Sequence, residues 1–298
     1  MSSRKPNVLL DPSNPGYALH FSTVMLRCNG AYDEDDKKAV VPIEATGFFL
    51  AKHFRKGRYR VYLVTNKHVA APAQSGSITW TLRAAHGGPD YGKLHTLPVG
   101  GFSSGFYCHG NHSVDVAIAD LTELLKERGK LDVVYMSAFH DGWLPSAKDL
   151  AALQPVEEVR FLGYPGGYSL SNLPIVRVGF TATPPAEPFA GTPSFLIDGA
   201  VYEGSSGSPV VLSDRASGDA PARSYLLGVL AESMPVQLRP EYYDASKNKW
   251  CKRDERERRH MNLGRVFNTE TILDCIKHQM EKHPDLRERL MADDDPSD

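Results

Sequence analysis

The chain has 298 residues, a formal net charge of −2, and 41% hydrophobic and 23% charged residues. This composition is typical of a globular protein with a hydrophobic core, and the near-neutral charge argues against capture of nucleic acid or an anionic membrane surface. No apolar run approaches the roughly 20 residues needed to span a bilayer, and the first thirty residues lack the apolar stretch of a secretory signal.

Short apolar segments rich in valine, isoleucine and aromatic residues alternate with Gly, Pro, Asn, Asp and Ser, which predicts an all-β sandwich or barrel. In the first half of the chain, strands are predicted at 20–26, 46–50, 59–64, 77–83 and 114–118. The second and third of these form a hairpin around a turn at 55–57. In the last one, the aliphatic residues at 114, 116 and 118 are expected to share one face.

Residues 121–155 interrupt the pattern with a short predicted helix at 121–128 and a connection of little periodicity. Strands resume at 158–162, 175–183, 194–197, 209–212, 225–231 and 263–267, with a polar insertion at 232–260 before the last. Asn268 or Thr269 is expected to cap a final helix, in which Ile272, Ile276 and Met280 recur every four residues. The acidic tail at 293–295 is expected to be frayed.

Three segments carry the residue types of nucleophilic catalysis. His68 follows a predicted strand, Asp115 lies in one, and Ser206 lies in a glycine-rich turn that opens another. A serine hydroxyl needs a base to take its proton, an imidazole can take and return that proton, and a buried carboxylate fixes the imidazole tautomer. Glycines beside the nucleophile allow a turn that aims backbone N–H groups at an oxyanion. Each residue alone has an ordinary structural explanation, but the three together indicate a hydrolytic triad.

The motifs TNKHVA, VDVAIADL and EGSSGSPVV resemble the His, Asp and Ser boxes of the chymotrypsin/trypsin-like serine peptidase family, in the same order. Other segments resemble strands of the same fold: ATGFFL, FLGYPGG, PIVRVGFTAT, FLIDG and YLLGVLAES. Among the branches of this family, the chain most resembles the disulfide-free protease domain of the HtrA type, without a PDZ module. The resemblance implies an all-β, chymotrypsin-like double β-barrel with a C-terminal α-helix.

The resemblance also implies a division of the chain. It places an N-terminal barrel at 18–121, a connection at 122–155, and a C-terminal barrel at 156–268 that contains the insertion at about 232–260. The final helix is expected at 269–290. The first barrel would carry the histidine and the aspartate and the second would carry the serine, so the site is expected in the cleft between them.

Carried over by motif, the resemblance implies Ser206 as nucleophile, His68 as general base and acid, and Asp115 as the group that orients His68. The backbone N–H groups of Gly204 and Ser206 would form the oxyanion hole.

The resemblance assigns the specificity pocket to Ala200, Ala231 and Ser233, with Ala200 at its floor, six residues before the nucleophile. Trypsin selects Lys or Arg with a carboxylate at that position, which this chain lacks, so we expect an uncharged, small-to-medium apolar P1 side chain. Asp198 is expected to point elsewhere. Glu232 would either select a basic residue at another subsite or simply be a solvated charge on the rim.

No metal or organic cofactor is predicted. Cys108, His109 and His112 lie close together, but zinc needs three or four ligands and no second cluster accompanies them. The four cysteines (Cys28, Cys108, Cys251 and Cys275) are widely spaced, with no CxxC pair. Such sparse use indicates a reducing compartment, so a cytoplasmic location is expected.

These observations predict an intracellular, trypsin-like serine endopeptidase that acts on protein or peptide substrates through an acyl-enzyme, with no nucleic-acid or membrane partner. The alternative is a protease-fold binding or scaffold module that is inactive or needs a partner for activation, with a regulatory partner at 232–260. A third reading, an esterase or acyl transferase, uses the same triad. The segment at 252–260 mixes basic with acidic residues, which favours a solvated helix over a nucleic-acid patch.

Overall fold

The computed structural model describes residues 15–34, 37–54, 57–100, 102–127, 133–213, 224–235, 241–252 and 260–285. Residues 55 and 56 of the predicted hairpin turn, residue 128 of the predicted helix and the acidic tail lie outside these ranges.

The first half of the chain forms one large sheet. Its elements are α1 (Pro15–Phe21), β1 (Thr23–Glu34), β2 (Lys37–His53), β3 (Tyr59–Thr65), α2 (Lys67–Ala70), β4 (Ala73–Arg83), β5 (Pro89–Gly100), β6 (Tyr107–Cys108), β7 (Ala117–Asp120), α3 (Thr122–Glu127), β8 (Val134–Tyr135) and β9 (Phe139–His140). Within the ranges given above, nine strands pair in the order β5-β4-β1-β2-β3-β7-β6, with β8 added to β4 and β9 to β2. The predicted hairpin is confirmed, because β2 pairs antiparallel with β3 and Phe48 lies opposite Val64.

Strand β2 buries side chains on both faces of this sheet. Phe48 and Leu50 pack in a cluster that includes Leu162 and Val229 of the second half of the chain. Phe49, between them, faces the opposite side and stacks on Trp80. Because successive side chains in a strand point to opposite faces, one strand contributes to the core of the first half and to the interface with the second.

The second half forms a closed barrel. Its elements are α4 (Ala147–Ala151), β10 (Glu158–Gly163), β11 (Ile175–Thr181), β12 (Ser194–Asp198), β13 (Pro209–Ser213), β14 (Ser224–Pro235), β15 (Glu241–Asp244), β16 (Lys249–Lys252), β17 (His260–Asn268) and α5 (Thr269–Lys282). Among the residues with described positions, six strands close in the order β10-β11-β12-β17-β14-β13, and β15 and β16 form a separate hairpin within the polar insertion. All six predicted strands of this half are confirmed.

Helix α5 joins the two halves. It begins after Asn268, as predicted, and buries Ile272, Ile276 and Met280 in the same cluster as Phe48. The four-residue spacing of these side chains places them on one helical face. The predicted all-β fold with a C-terminal helix is therefore confirmed.

Two strand predictions are wrong in part. His20 and Phe21 belong to helix α1, and the strand begins only at Thr23, because the hydroxyls of Ser22 and Thr23 donate to the Leu19 carbonyl and close the helix there. Strand β7 begins at Ala117 rather than at 114, because the Val114 N–H donates to the Asn111 carbonyl in a turn.

Candidate active site

His68 and Asp115 form a doubly hydrogen-bonded pair at the ends of the paired strands β3 and β7. His68 lies in α2, the short helix that follows β3, and its backbone N–H donates to Asp115 Oδ1 at 2.9 Å. Its ring nitrogen Nδ1 lies 2.6 Å from Asp115 Oδ2. The buried side chain of Asn66 donates to the Asp115 carbonyl at 2.7 Å, which ties the backbones of the two segments together. The pair fixes the imidazole orientation and leaves Nε2 for a third partner.

The electrostatic balance at Asp115 favours the carboxylate. Burial is the largest single influence and acts to raise its pKa, but the hydrogen bonds from the His68 ring and backbone, with the attraction to that ring, together outweigh it. The net effect is a pKa for Asp115 below its ordinary value. The carboxylate is therefore charged at neutral pH, as required of a group that stabilises an imidazolium.

Two glycines shape the turn that carries Ser206. Gly204 has φ +82° and Gly207 has φ +87°, a region that L side chains rarely adopt. A Cβ at Gly204 would overlap the Tyr164 carbonyl, and one at Gly207 would overlap the Thr46 carbonyl. Only glycine fits at either position, and the resulting tight turn leaves Ser206 half-buried at its apex.

Thr46, in β2, holds this turn against the first half of the chain. Its N–H donates to the Ser206 carbonyl at 2.8 Å, and its hydroxyl donates to the Gly204 carbonyl at 2.7 Å. The same hydroxyl accepts the Tyr164 N–H at 3.2 Å, while the Thr46 carbonyl accepts the Thr65 hydroxyl at 2.8 Å. The sequence analysis missed this residue.

The Ser206 hydroxyl points to strand β14. Its Oγ donates to the Ala231 carbonyl at 2.9 Å, and within the described residues no hydrogen bond joins it to His68. A serine hydroxyl is free to rotate, and catalytic hydrogen bonds are often long or absent until substrate binds. The structure thus pairs His68 with Asp115 and places Ser206 beside Ala231.

The predicted pocket residues lie on stretches of chain that hydrogen bonds join near Ser206. Ala200 begins the segment that leads to Ser206, and the preceding Gly199 donates its N–H to the Asn262 carbonyl at 2.8 Å. Ala231 is buried, and Ser233 donates to the Met261 carbonyl at 3.4 Å. Hydrogen bonds thus connect the stretches that carry Ala200 and Ser233 through residues 261 and 262, and Ala231 accepts a hydrogen bond from Ser206.

Charged side chains near the predicted pocket residues differ in their pairing. Glu232 forms an ion pair with Arg265, at 3.3 Å between Oε1 and Nε, and the Asp198 side chain is exposed. The Ala200 carbonyl accepts a hydrogen bond from Arg177 at 2.8 Å, a contact that the sequence analysis also missed.

Potential metal ligands are dispersed. In the part of the chain with described positions, no group of three or more His, Cys, Asp or Glu residues is arranged to hold a metal ion. His109 instead accepts the Asn111 N–H at its Nδ1, 3.1 Å away. All four cysteines are free thiols.

None of the helices with described positions combines the length and apolar character needed to cross a membrane.

A sequence profile of the trypsin-like peptidase domain matches residues 45–217, more than half of the chain. The chain belongs to the trypsin-like peptidase family. The predicted family is thus confirmed, and the matched segment contains His68, Asp115 and Ser206.

Solved structures with similarity to this trypsin-like chain include the M. tuberculosis protease Rv3671c in its inactive form, at 17% identity over 91% of this chain and 95% of that one, with a TM-score of 0.42. The thermostable serine protease AL20 from an extremophilic microorganism is 10% identical over 88% of this chain and 98% of its own, with a TM-score of 0.43. No curated protein matches the chain.

Proposed function

We propose that this trypsin-like chain is a serine endopeptidase that uses Ser206, His68 and Asp115 as its triad. The observation that carries the proposal is the pair of hydrogen bonds between His68 and Asp115, at 2.9 and 2.6 Å, beside a glycine turn that presents Ser206. The order of the three residues in the chain and their residue types match what acyl transfer by a serine requires.

In the proposed mechanism, the Ser206 hydroxyl rotates from the Ala231 carbonyl towards His68 Nε2, which takes its proton as Oγ attacks the scissile carbonyl carbon. The imidazolium that forms is stabilised by the ionised Asp115 and returns the proton to the leaving amine. Water then attacks the carbonyl carbon of the acyl-enzyme while His68 takes a proton from it. His68 returns that proton to Ser206 Oγ, so the carboxylic acid product leaves and the free enzyme is regenerated.

The oxyanion hole is assigned to the N–H groups of Gly204 and Ser206. Within the residues whose positions are described, neither N–H has a hydrogen-bond acceptor, although Gly204 is buried. Buried backbone N–H groups are nearly always paired, and two unpaired donors next to the nucleophile suit the developing negative oxygen.

The substrate is proposed to be a protein or peptide whose P1 side chain binds beside Ala200, Ala231 and Ser233, the residues assigned to the specificity pocket. A cytoplasmic location belongs to the same proposal and is supported by four widely spaced free thiols. The division into barrels at 18–121 and 156–268, linked by 122–155 and followed by a helix at 269–290, also remains a proposal, as does a regulatory partner at 232–260.

The test is intact-mass spectrometry after brief exposure to a fluorophosphonate, on wild type, Ser206→Ala and Ser169→Ala. Wild type and Ser169→Ala, which alters an exposed serine outside the site, should each gain a single adduct. Ser206→Ala should gain none and should lose about 10⁶-fold in turnover while keeping its fold. An adduct on Ser206→Ala would overturn the assignment of the nucleophile.

A scaffold role is the second candidate, favoured by the hydrogen bond that directs the Ser206 hydroxyl to Ala231 rather than to His68. A folded wild-type chain that gains no adduct after prolonged exposure supports the scaffold role and refutes a competent triad.

A further inference from the structure

Strand β11 of the closed barrel has one edge that is only partly covered. It pairs with β10 along most of its length, but with β12 only at Phe180 and Thr181. Beyond the end of β12 the chain turns towards β17, where the Gly199 N–H donates to the Asn262 carbonyl at 2.8 Å. Residues 175–179 of β11 therefore have no neighbouring strand on this edge among the described residues.

The hydrogen-bonding pattern fixes which backbone groups reach the open edge. The Thr181 N–H donates to the Glu157 carbonyl, on the β10 side, at 2.9 Å. In an antiparallel strand the N–H and C=O of one residue point to the same edge, and the direction alternates from residue to residue. Phe180 therefore points to β12, and Val176 and Val178 point to the same side beyond the end of β12. In the part of the chain with described positions, their two N–H and two C=O groups have no hydrogen-bond partner.

The side chains beside these groups are apolar and exposed. Val176 is 39% exposed, Val178 is 53% exposed, and Phe180 continues the same row at 48%. Natural edge strands are usually protected from association by a charged side chain, a proline or a covering loop. Arg177, between the two valines, points to the opposite face, with its guanidinium over the Phe161 ring of β10. The open edge is therefore a ready template for another strand.

A second copy of β11 fits this edge in length and in polarity. The edge offers two residues, because Pro174 lacks an N–H at one end and Phe180 is paired with β12 at the other. In a two-fold antiparallel arrangement, Val176 of each copy lies opposite Val178 of the other. The four hydrogen bonds of these two pairs use every N–H and C=O group of the four valines, so each donor meets an acceptor. A longer foreign strand would find no further partners on this edge.

The charge of Arg177 does not oppose this pairing. In the two-fold arrangement the two copies of Arg177 lie opposite each other. Each guanidinium, however, lies over Phe161, which is on the β10 side of the strand, with Cζ 4.5 Å from the ring centroid. Its Nη1 also donates to the Ala200 carbonyl of its own copy at 2.8 Å. The charges are thus held within each barrel, while the valines meet on the other face.

We propose that β11 is an interaction edge through which two copies of the chain associate, by antiparallel pairing of Val176 with Val178 of the second copy. The contact uses the same surface on both copies, so it closes as a dimer. One short strand edge and two valine side chains bury less than the roughly 800 Å² per partner of a standard interface, so the dimer is weak and reversible. The inference is independent of the peptidase proposal.

The first test is sedimentation equilibrium of the full chain from low micromolar to submillimolar concentration. The weight-average mass of wild type should rise from 32.9 kDa towards twice that value. Val178→Lys, which adds a charge to the edge of each copy, should weaken the association at least about 10-fold. Leu94→Lys is the matched control, because Leu94 is a 43% exposed strand residue in the first half of the chain, and it should associate as wild type does.

The second test is cross-linking that depends on the register. Val176→Cys and Val178→Cys are made as separate variants and oxidised alone and as an equimolar mixture. Residues opposite each other in a hydrogen-bonded antiparallel pair have Cα atoms about 5.5 Å apart, which suits a disulfide, whereas diagonal neighbours lie too far apart. Peptide mass mapping should find a disulfide between positions 176 and 178 in the mixture, and none at the new cysteine in either variant alone.

Each outcome bears on the proposal. Wild type that stays monomeric throughout overturns it, and amides of Val176 and Val178 that resist hydrogen exchange in that monomer would show that another part of the chain covers the edge. A dimer that Val178→Lys leaves intact overturns it as well, because the interface then lies elsewhere. Cross-linking of Val176→Cys with itself refutes the proposed pairing. If Val178→Lys does not fold, Val176→Lys and the cross-linked mixture decide the question.

Discussion

Replacing Thr46 with valine removes a buried hydroxyl that joins the two halves of the site. The hydroxyl donates to the Gly204 carbonyl at 2.7 Å and accepts the Tyr164 N–H at 3.2 Å. Valine has nearly the same shape, so packing is preserved while both hydrogen bonds are lost. The Thr46 backbone N–H, which donates to the Ser206 carbonyl, is unaffected by the substitution itself.

The expected loss of stability follows from the two buried polar groups that lose their hydrogen-bond partner. Thr46 is fully buried, so neither the Gly204 carbonyl nor the Tyr164 N–H can turn to water without local opening. Each buried polar group left unpaired costs about 1–3 kcal/mol. We therefore expect Thr46→Val to lower the free energy of unfolding by about 2–6 kcal/mol, given two such groups. One of these groups is the carbonyl of Gly204, whose N–H is proposed to line the oxyanion hole. We therefore also expect the reaction with a fluorophosphonate to slow at least about 10-fold, which is less than the roughly 10²–10³-fold cost of removing an oxyanion-hole donor outright.

The assay combines urea unfolding with the rate of fluorophosphonate adduct formation, measured well below the unfolding midpoint. Thr181→Val is the matched control, since Thr181 is also buried and its hydroxyl accepts the N–H of Glu157, away from the nucleophile. It should lose stability but keep the wild-type adduct rate. Equal adduct rates for wild type and Thr46→Val, with stability reduced, would refute the view that Thr46 positions the turn.

Three other changes test the site. Asp115→Asn should lower turnover about 10⁴-fold, because an amide holds the wrong imidazole tautomer. The rate of acylation in a single turnover measures this loss. A loss below about 10-fold would contradict the proposed role of Asp115 in orienting His68. Because the pKa of Asp115 is lower in the folded chain than its ordinary 3.8, its ionised form stabilises the fold above that pH, and this stabilisation is lost as the pH falls through the folded value. Melting temperatures of wild type and Asp115→Asn should therefore converge on acidification, and a constant gap would show that another group dominates. Gly207→Ala should prevent folding, whereas Gly87→Ala, with the same φ of +87° and open space around it, should cost only about 1–2 kcal/mol; similar losses for both would mean that contact with Thr46 is unimportant.

The proposed triad residues could be named from the sequence because their signals are local. A glycine on each side of Ser206 and a strand before His68 can be read within a few positions. The second barrel was predicted strand by strand for a similar reason, since each strand is short, apolar and bounded by turn residues. In contrast, α1 has only seven residues, which is too short for helical periodicity to be distinguished from strand alternation.

The contacts of Thr46 and Arg177 could not be predicted because they join distant parts of the chain. Thr46 and Gly204 are 158 positions apart, and nothing near Thr46 in the sequence marks it as a partner of the turn that carries Ser206. Arg177 occupies a position in an alternating strand where an apolar residue is expected. Only the structure shows that its guanidinium lies over the Phe161 ring and donates to the Ala200 carbonyl. Local chemistry thus named the proposed reacting groups, while the contacts that surround them could be seen only in the fold.

The division of the site between the two halves has a consequence for stability and reactivity. His68 and Asp115 belong to the first half, Ser206 belongs to the second, and Ile276 of α5 packs in the cluster between them. Ile276→Ala should therefore lower the free energy of unfolding by about 2–5 kcal/mol and also slow adduct formation, because it loosens the alignment of the halves. Ile78→Ala, in the outer cluster of the first half, should cost a similar amount of stability and leave the adduct rate unchanged. If both variants react with the fluorophosphonate at the wild-type rate, the interface does not control the position of Ser206 relative to His68, and the turn around Thr46 alone must do so.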